Sequence, residues 1–162
     1  MDITDFEGKH LILAWGMTTA LGWLATMAMA AFQMTGGQVM AVWTVLMVVP
    51  LTMTALLYRR GDSNKLFNFW AVVVAVLMIE NLLTPDSIAV YSFFLLWIVA
   101  GAVGFYYTSE RLPPPSEKTY RYAAVLSALA IPVVYIDYRV GAILGLILQG
   151  GPVLYDYWTV HR

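Results

Sequence analysis

The chain has 162 residues, of which 60% are hydrophobic and 12% are charged, and its net charge at pH 7 is -1. A soluble domain of this size has too little interior to hide so much apolar surface, so the composition excludes a soluble globular fold. The near-neutral charge, without a basic tract or a recognisable nucleic-acid-binding motif, excludes nucleic acid as a partner.

Six apolar runs are long enough to cross a bilayer core as helices, which takes about 20 residues. In chain order they are Leu11–Phe32, Val39–Tyr58, Leu66–Leu83, Ile88–Tyr107, Tyr120–Ile136 and Val140–Trp158. Polar or Gly/Pro-containing segments separate them, and none shows the period-two alternation of a membrane β-barrel. We therefore predict an all-α, polytopic membrane bundle that forms a single domain over residues 1–162.

The basic residues indicate how the bundle is oriented, because Lys and Arg in short loops favour the cytoplasmic side. They cluster in the loop after the second run and in the loop after the fourth: Arg59, Arg60 and Lys65, then Arg111, Lys118 and Arg121. Six spans put these groups, Lys9 and Arg162 on one side, and only Arg139 falls outside. This predicts a multi-pass protein of the plasma or inner membrane with both termini in the cytoplasm.

A break interrupts the last run near its predicted midplane, where Gln149, Gly150 and Gly151 precede Pro152. The proline lacks a backbone donor and the glycines loosen the same turn. The break is compatible with a simple kink or with the turn of a re-entrant segment, which would leave five spans. It also fits the discontinuous helices with which transporters bind ions or substrates, so these three residues are candidate binding residues.

Ionisable groups inside spans are costly and are therefore functional candidates. Glu80 and its neighbour Asn81 lie about 22 Å along the third span from the cytoplasmic side, and Asp137 lies about 24 Å along the fifth, at 1.5 Å per residue. Together with Arg139, these residues are predicted to lie at a similar depth, near the outer face of the membrane. They form either a site for a cation or small solute, or an interfacial network in which Arg139 neutralises Glu80 or Asp137.

Two further features allow more than one interpretation. Asp156 lies among aromatic residues at the cytoplasmic edge, where an interfacial position is favoured over a binding site. Trp70 and Tyr120 fall at the same level and are assigned to the interfacial aromatic belt. Gly141 and Gly145 form a Gly-x-x-x-Gly step that allows close helix packing, either within the chain or across a homodimer.

The sequence contains no cysteine, which excludes disulfides and thiolate metal sites. Its two histidines, His10 and His161, lie at helix ends, and no nucleotide-binding, zinc-protease or serine-hydrolase motif occurs. We therefore assign no cofactor, no metal ligand and no catalytic residue, and a non-enzymatic role is favoured.

Three functions fit these features, and in each of them the protein is embedded in the lipid bilayer. The favoured one is transport or conduction of a small solute or cation, supported by the outer carboxylates, the broken last span and the prolines Pro50 and Pro132 at corresponding positions of the two halves. The second is a structural, assembly or regulatory subunit with a membrane partner. The third is an enzyme acting on lipid or isoprenoid substrates with Glu80, Asp137 or Asp156 as acid or base.

Overall fold

The structure is a computed structural model that describes residues 6–32, 35–61, 64–84 and 86–160, and every regular element in these ranges is helical. The elements are α1 (Phe6–Ala31), α2 (Gly36–Arg59), α3 (Lys65–Leu83), α4 (Asp86–Ser109), α5 (Ser116–Ile136), α6 (Tyr138–Gly145), a π-helical turn (Leu146–Gly150) and α7 (Gly151–Val160). Six helices result that are long and apolar enough to cross a membrane. The predicted all-helical architecture with six helices of spanning length is confirmed, and the membrane topology and the side on which the termini lie stay predictions.

The last three elements follow one another without a gap and form one continuous helix, which we call the sixth span. The chain stays helical through the Gly150–Gly151–Pro152 break, and residues 139–159 form a single stretch of spanning length. The break is therefore neither a chain reversal nor a sharp interruption of the helix. It is a π-helical turn, in which hydrogen bonds skip one more residue than in an α-helix, and the five-span alternative is wrong.

Polar side chains outside the apolar runs define where several helices begin. Thr35 accepts a hydrogen bond from the backbone N–H of Gln38, and the Gln38 side chain accepts one from the Thr35 N–H, which is a capping box. The Asn64 side chain accepts from the Leu66 N–H at 2.8 Å. These caps satisfy backbone donors that a helix leaves unpaired in its first turn.

Long-range hydrogen bonds fix neighbouring helices in antiparallel pairs. The Trp15 indole near the start of α1 donates to Thr54 near the end of α2. Trp70 near the start of α3 donates to Thr108 at the end of α4, at 3.0 Å. The bundle thus has two ends, which we name by residues near them: the Asp156 end, with the starts of α1, α3 and α5, and the Glu80 end.

Glycines let aromatic rings pack directly against helix backbones. A Cβ atom added at Gly145 would lie less than 3.0 Å from the Trp23 ring, and one added at Gly141 would lie 2.9 Å from Phe94. The Gly-x-x-x-Gly step therefore packs within the chain, against α1 and α4. Gly104 accommodates the Trp70 ring in the same way.

The outer surface of the bundle is apolar along every span. Large apolar side chains between 46% and 72% exposed occur on all six: Leu21, Val45, Val72, Val103, Leu129 and Ile147. Such a surface is stable in lipid and not in water, which agrees with the prediction of a multi-pass membrane protein.

Candidate functional site

A partly open cavity of about 80 Å³ lies inside the bundle, from the Asp156 end to mid-depth. All six spans contribute to it, and its walls are mostly apolar and aromatic, with a few polar groups. The lining residues are Ile12, Trp15, Thr19, Met47, Leu66, Phe67, Trp70, Val74, Leu77, Trp97, Ala100, Gly101, Phe105, Thr108, Leu112, Tyr120, Gln149, Val153 and Asp156. An apolar concave site with a few convergent polar groups is the usual architecture of a small-molecule site.

Gln149 forms the polar group at the inner limit of the cavity. It lies in the π-helical turn and is buried. Its side-chain nitrogen donates to the backbone carbonyl of Trp97 at 2.6 Å, and its oxygen accepts from Trp23 Nε1 at 3.2 Å. The two bonds join the sixth span to α1 and α4 and fix the amide in one orientation.

Asp156 is the acidic group of the cavity and is only 3% exposed. The Ser116 hydroxyl donates to its Oδ1, and the Tyr120 hydroxyl donates to its Oδ2 at 3.3 Å. Both donors lie in the first turns of α5, so the carboxylate connects α5 to α7.

Aromatic rings form much of the wall near Asp156. Trp70 is held by its bond to Thr108 and packs against Phe105, with 5.3 Å between ring centroids. Phe105 in turn lies 5.5 Å from the Tyr120 ring. As a result, aromatic rings from α3, α4 and α5 surround this part of the cavity.

A close-packed aromatic cluster separates the cavity from the Glu80 end. Its members are Trp23, Trp43, Phe93, Phe94 and Trp97, each at most 5% exposed. Trp43 lies 4.9 Å from Trp97 and 5.3 Å from Trp23 between ring centroids, and its Nε1 donates to Thr26 at 2.8 Å. The cavity therefore ends at this cluster.

The structure separates Glu80 from this cavity. Glu80 lies near the end of α3, where its Oε1 accepts from the hydroxyls of Thr84 at 2.7 Å and Ser92 at 3.0 Å. Within the described part of the chain, Glu80 and Arg139 form no ion pair with each other. The predicted neutralisation of Glu80 by Arg139 is thus not formed.

The other outer candidates also lie outside this cavity. Asn81 is buried and its amide nitrogen donates to the Leu77 carbonyl one turn earlier. Asp137 is exposed and accepts from the backbone N–H of Arg139 at 2.9 Å, so it is the N-cap of α6. The exposed Arg139 side chain is absent from the cavity lining, as are Asn81 and Asp137.

Gly150 and Gly151, the remaining sequence candidates, have structural positions. A Cβ atom on Gly150 would lie 3.2 Å from the Ala20 backbone, so this glycine allows close approach of α1 to the sixth span. Gly151 is exposed and has open space around it. Of the seven sequence candidates, Gln149 is the one that lines the cavity.

Sequence reasoning missed Tyr120, Trp70 and Thr108 as cavity residues. Tyr120 and Trp70 fall at the interfacial level and were assigned to the aromatic belt, but Tyr120 is 6% exposed and Trp70 is half-buried. Tyr58, Tyr122 and Trp158 are 58% to 69% exposed, and for them the belt assignment stays a prediction. The one signal that could have separated them is Asp156 at the same level, since a buried carboxylate requires hydroxyl or N–H donors.

The chemistry available in the cavity is recognition of a small molecule. Within the described residues there is no group of three or more His, Cys, Asp or Glu that could hold a metal ion. Glu80, Asp137 and Asp156, the proposed acid–base residues, do not meet in one cavity. Comparisons with protein-family models, curated proteins and solved structures found no match to this chain.

Proposed function

We propose that the protein is a small membrane carrier that binds a small organic solute inside its bundle and moves it across the bilayer. The observation that carries this proposal is the cavity that all six spans line from the Asp156 end to Gln149. Intramembrane polar groups that face a cavity are typical of substrate pathways.

The difference between the two halves of the bundle supports transport rather than simple storage. The aromatic cluster lies between the cavity and the Glu80 end, whereas the cavity itself is partly open. A carrier that alternates access exposes its site to one side while the other side is closed. The π-helical turn lies where the two halves meet, and such turns are frequent at functional sites.

The lining favours an organic solute over a bare metal cation. Conduction or coordination of an inorganic cation needs several oxygen ligands at one level. Here Asp156 and Gln149 are separated by seven residues, or about 10 Å along the helix at 1.5 Å per residue. Apolar and aromatic side chains such as Val153 and Trp97 lie between and around them, which suits a molecule with an apolar body.

The test is uptake into proteoliposomes of three phenyl solutes that do not cross lipid readily by themselves. They are phenyltrimethylammonium, benzenesulfonate and phenyl glucoside, which are cationic, anionic and neutral. We expect the protein to accelerate uptake of at least one over empty liposomes. Ala100→Phe, which places a ring in the cavity, should abolish that uptake.

Val103→Phe is the matched control, because it adds the same ring to the same helix at a position 62% exposed and outside the cavity lining. It should retain the uptake of the wild-type protein. Absence of accelerated uptake for all three solutes would overturn the proposal. Equal uptake by wild type and Ala100→Phe would also overturn it, because the solute would then not pass through the cavity.

A further inference from the structure

We propose that an anionic phospholipid binds on the outer surface of α3 and α4 at the Asp156 end, with its phosphate held by Arg111 and Lys65. This site lies on the outside of the bundle, so it does not depend on the solute or on the carrier function proposed for the cavity.

A stack of side chains fixes Arg111 against the end of α4. The Tyr107 ring stacks on Phe69 of α3, with 4.0 Å between ring centroids and 19° between ring planes. The Arg111 guanidinium lies 3.3 Å from the centroid of the same Tyr107 ring, and its Nη1 donates to the Tyr107 carbonyl at 3.0 Å. Because a guanidinium presents a fork of several N–H donors, it can still bind phosphate oxygens in this position.

Lys65 lies at the same end of this stack. Lys65 and Phe69 are four residues apart on α3, so they share one face of that helix. Arg111 likewise follows Tyr107 by four residues, in the turn after α4. Because α3 begins and α4 ends at the Asp156 end, both cations lie beyond the stacked rings, toward the surface of the bilayer.

The positive charges of Lys65 and Arg111 are not neutralised by the protein. Both residues are exposed, and neither has an acidic partner within the described part of the chain. Glu110, the acid next to Arg111 in the sequence, instead pairs with Arg121 at 2.9 Å, and Glu117 pairs with the same arginine at 3.1 Å. Clusters of Lys and Arg at the end of membrane spans attract anionic lipids.

The apolar surface below the two cations favours a lipid over a soluble phosphate ester. Val72 follows Phe69 by three residues and Val103 precedes Tyr107 by four, which are the spacings of one helix face. The two valines are 63% and 62% exposed. Cations, stacked rings and exposed apolar side chains therefore follow one another in the order of a phospholipid's headgroup, interfacial region and acyl chains.

The experiment compares two lipids with the same acyl chains. Dioleoylphosphatidylglycerol is anionic, whereas dioleoylphosphatidylcholine has the same phosphate but also its own ammonium group. Native mass spectrometry of the full-length protein, released from detergent micelles, gives the dissociation constant of the first lipid bound. We expect wild-type protein to bind phosphatidylglycerol at least about tenfold more tightly than phosphatidylcholine.

Two double variants of equal charge separate a site from a general field. Lys65→Gln/Arg111→Gln should reduce the preference for phosphatidylglycerol by about fivefold or more. Arg59→Gln/Lys118→Gln is the matched control, because it removes the same charge from exposed positions on α2 and α5 at the same end of the bundle. It should keep the preference to within about twofold.

Three results would overturn the proposal. Wild-type protein could show no preference for phosphatidylglycerol, or both double variants could lose it equally, which would mean that only the overall charge attracts the lipid. Water-soluble glycerophosphoglycerol could also bind as tightly as the lipid, which would assign the site to free phosphate esters. Folding of the variants is checked by thermal unfolding. If Lys65→Gln/Arg111→Gln does not fold, the single variants Lys65→Gln and Lys118→Gln provide the same comparison.

Discussion

Trp23 Nε1 donates a hydrogen bond of 3.2 Å to the side-chain oxygen of Gln149, which lies 126 positions further along the chain. The same amide donates to the Trp97 carbonyl. A single polar side chain in the π-helical turn therefore connects α1, α4 and the sixth span where the cavity meets the aromatic cluster.

The first prediction concerns this amide. Gln149→Leu should lower the free energy of unfolding by about 1–3 kcal/mol, because it leaves the buried Trp23 Nε1 without its acceptor. The measurement is reversible unfolding in mixed micelles. Ile147→Leu, at a lipid-facing position 59% exposed, should change stability by less than about 0.5 kcal/mol. Equal stability of Gln149→Leu and wild type would show that the bond is energetically unimportant.

The second prediction compares two glycines of the sixth span. Gly145→Ala should destabilise the protein by about 1–3 kcal/mol, because the added methyl group collides with the Trp23 ring in a filled core. Gly151→Ala should stabilise it by about 0.5–1 kcal/mol, since Gly151 has helical φ of -55° and open space around it. The free energy of unfolding of each variant is measured from its unfolding curve. A change of the same sign in both variants would contradict the packing described.

The third prediction distinguishes a helix cap from an ion ligand at Asp137. Asn is as good an N-cap as Asp, so Asp137→Asn should leave stability nearly unchanged, whereas Asp137→Ala should cost about 0.5–2 kcal/mol. Thermal unfolding of both variants in one detergent provides the comparison. A loss in Asp137→Asn as large as in Asp137→Ala would mean that the charge, and not the cap, is required.

The fourth prediction concerns Glu80, which accepts from Ser92 and Thr84. Glu80→Gln keeps an acceptor oxygen for both hydroxyls and should change the free energy of unfolding by less than about 1 kcal/mol. Glu80→Leu removes the acceptor at similar volume and should cost about 1–3 kcal/mol. If the two variants unfold alike, the hydroxyl contacts do not stabilise the α3–α4 junction.

Hydropathy predicted the six spans well, because lipid requires long apolar helices and leaves few alternatives. The ends of the helices were less predictable. The fifth run was expected to begin at Tyr120, but α5 begins at Ser116, since polar residues continue the helix beyond the apolar core. Likewise, α2 begins at Gly36 because Thr35 caps it, which a hydropathy profile does not detect.

The site was predictable only in part. Gln149 was identified because an amide at mid-depth is unusual in a span, but its partners Trp23 and Trp97 are distant in sequence and have no signature there. Tyr120 was placed in the belt because a ring in a cavity wall and a ring at the lipid interface have the same hydropathy and depth. Only the rotation of α5 about its axis distinguishes them, and apolar residues on both faces of that helix conceal it.

The π-helical turn also sets the angular relation between the two ends of the sixth span. It holds one more residue per turn than an α-helix, and each residue of an α-helix turns the chain by about 100°. Tightening Leu146–Gly150 into regular α-helix would therefore rotate α7 by roughly that angle relative to α6. Asp156 would then turn away from Ser116 and Tyr120, so the contacts of this carboxylate depend on the π-helical turn being kept.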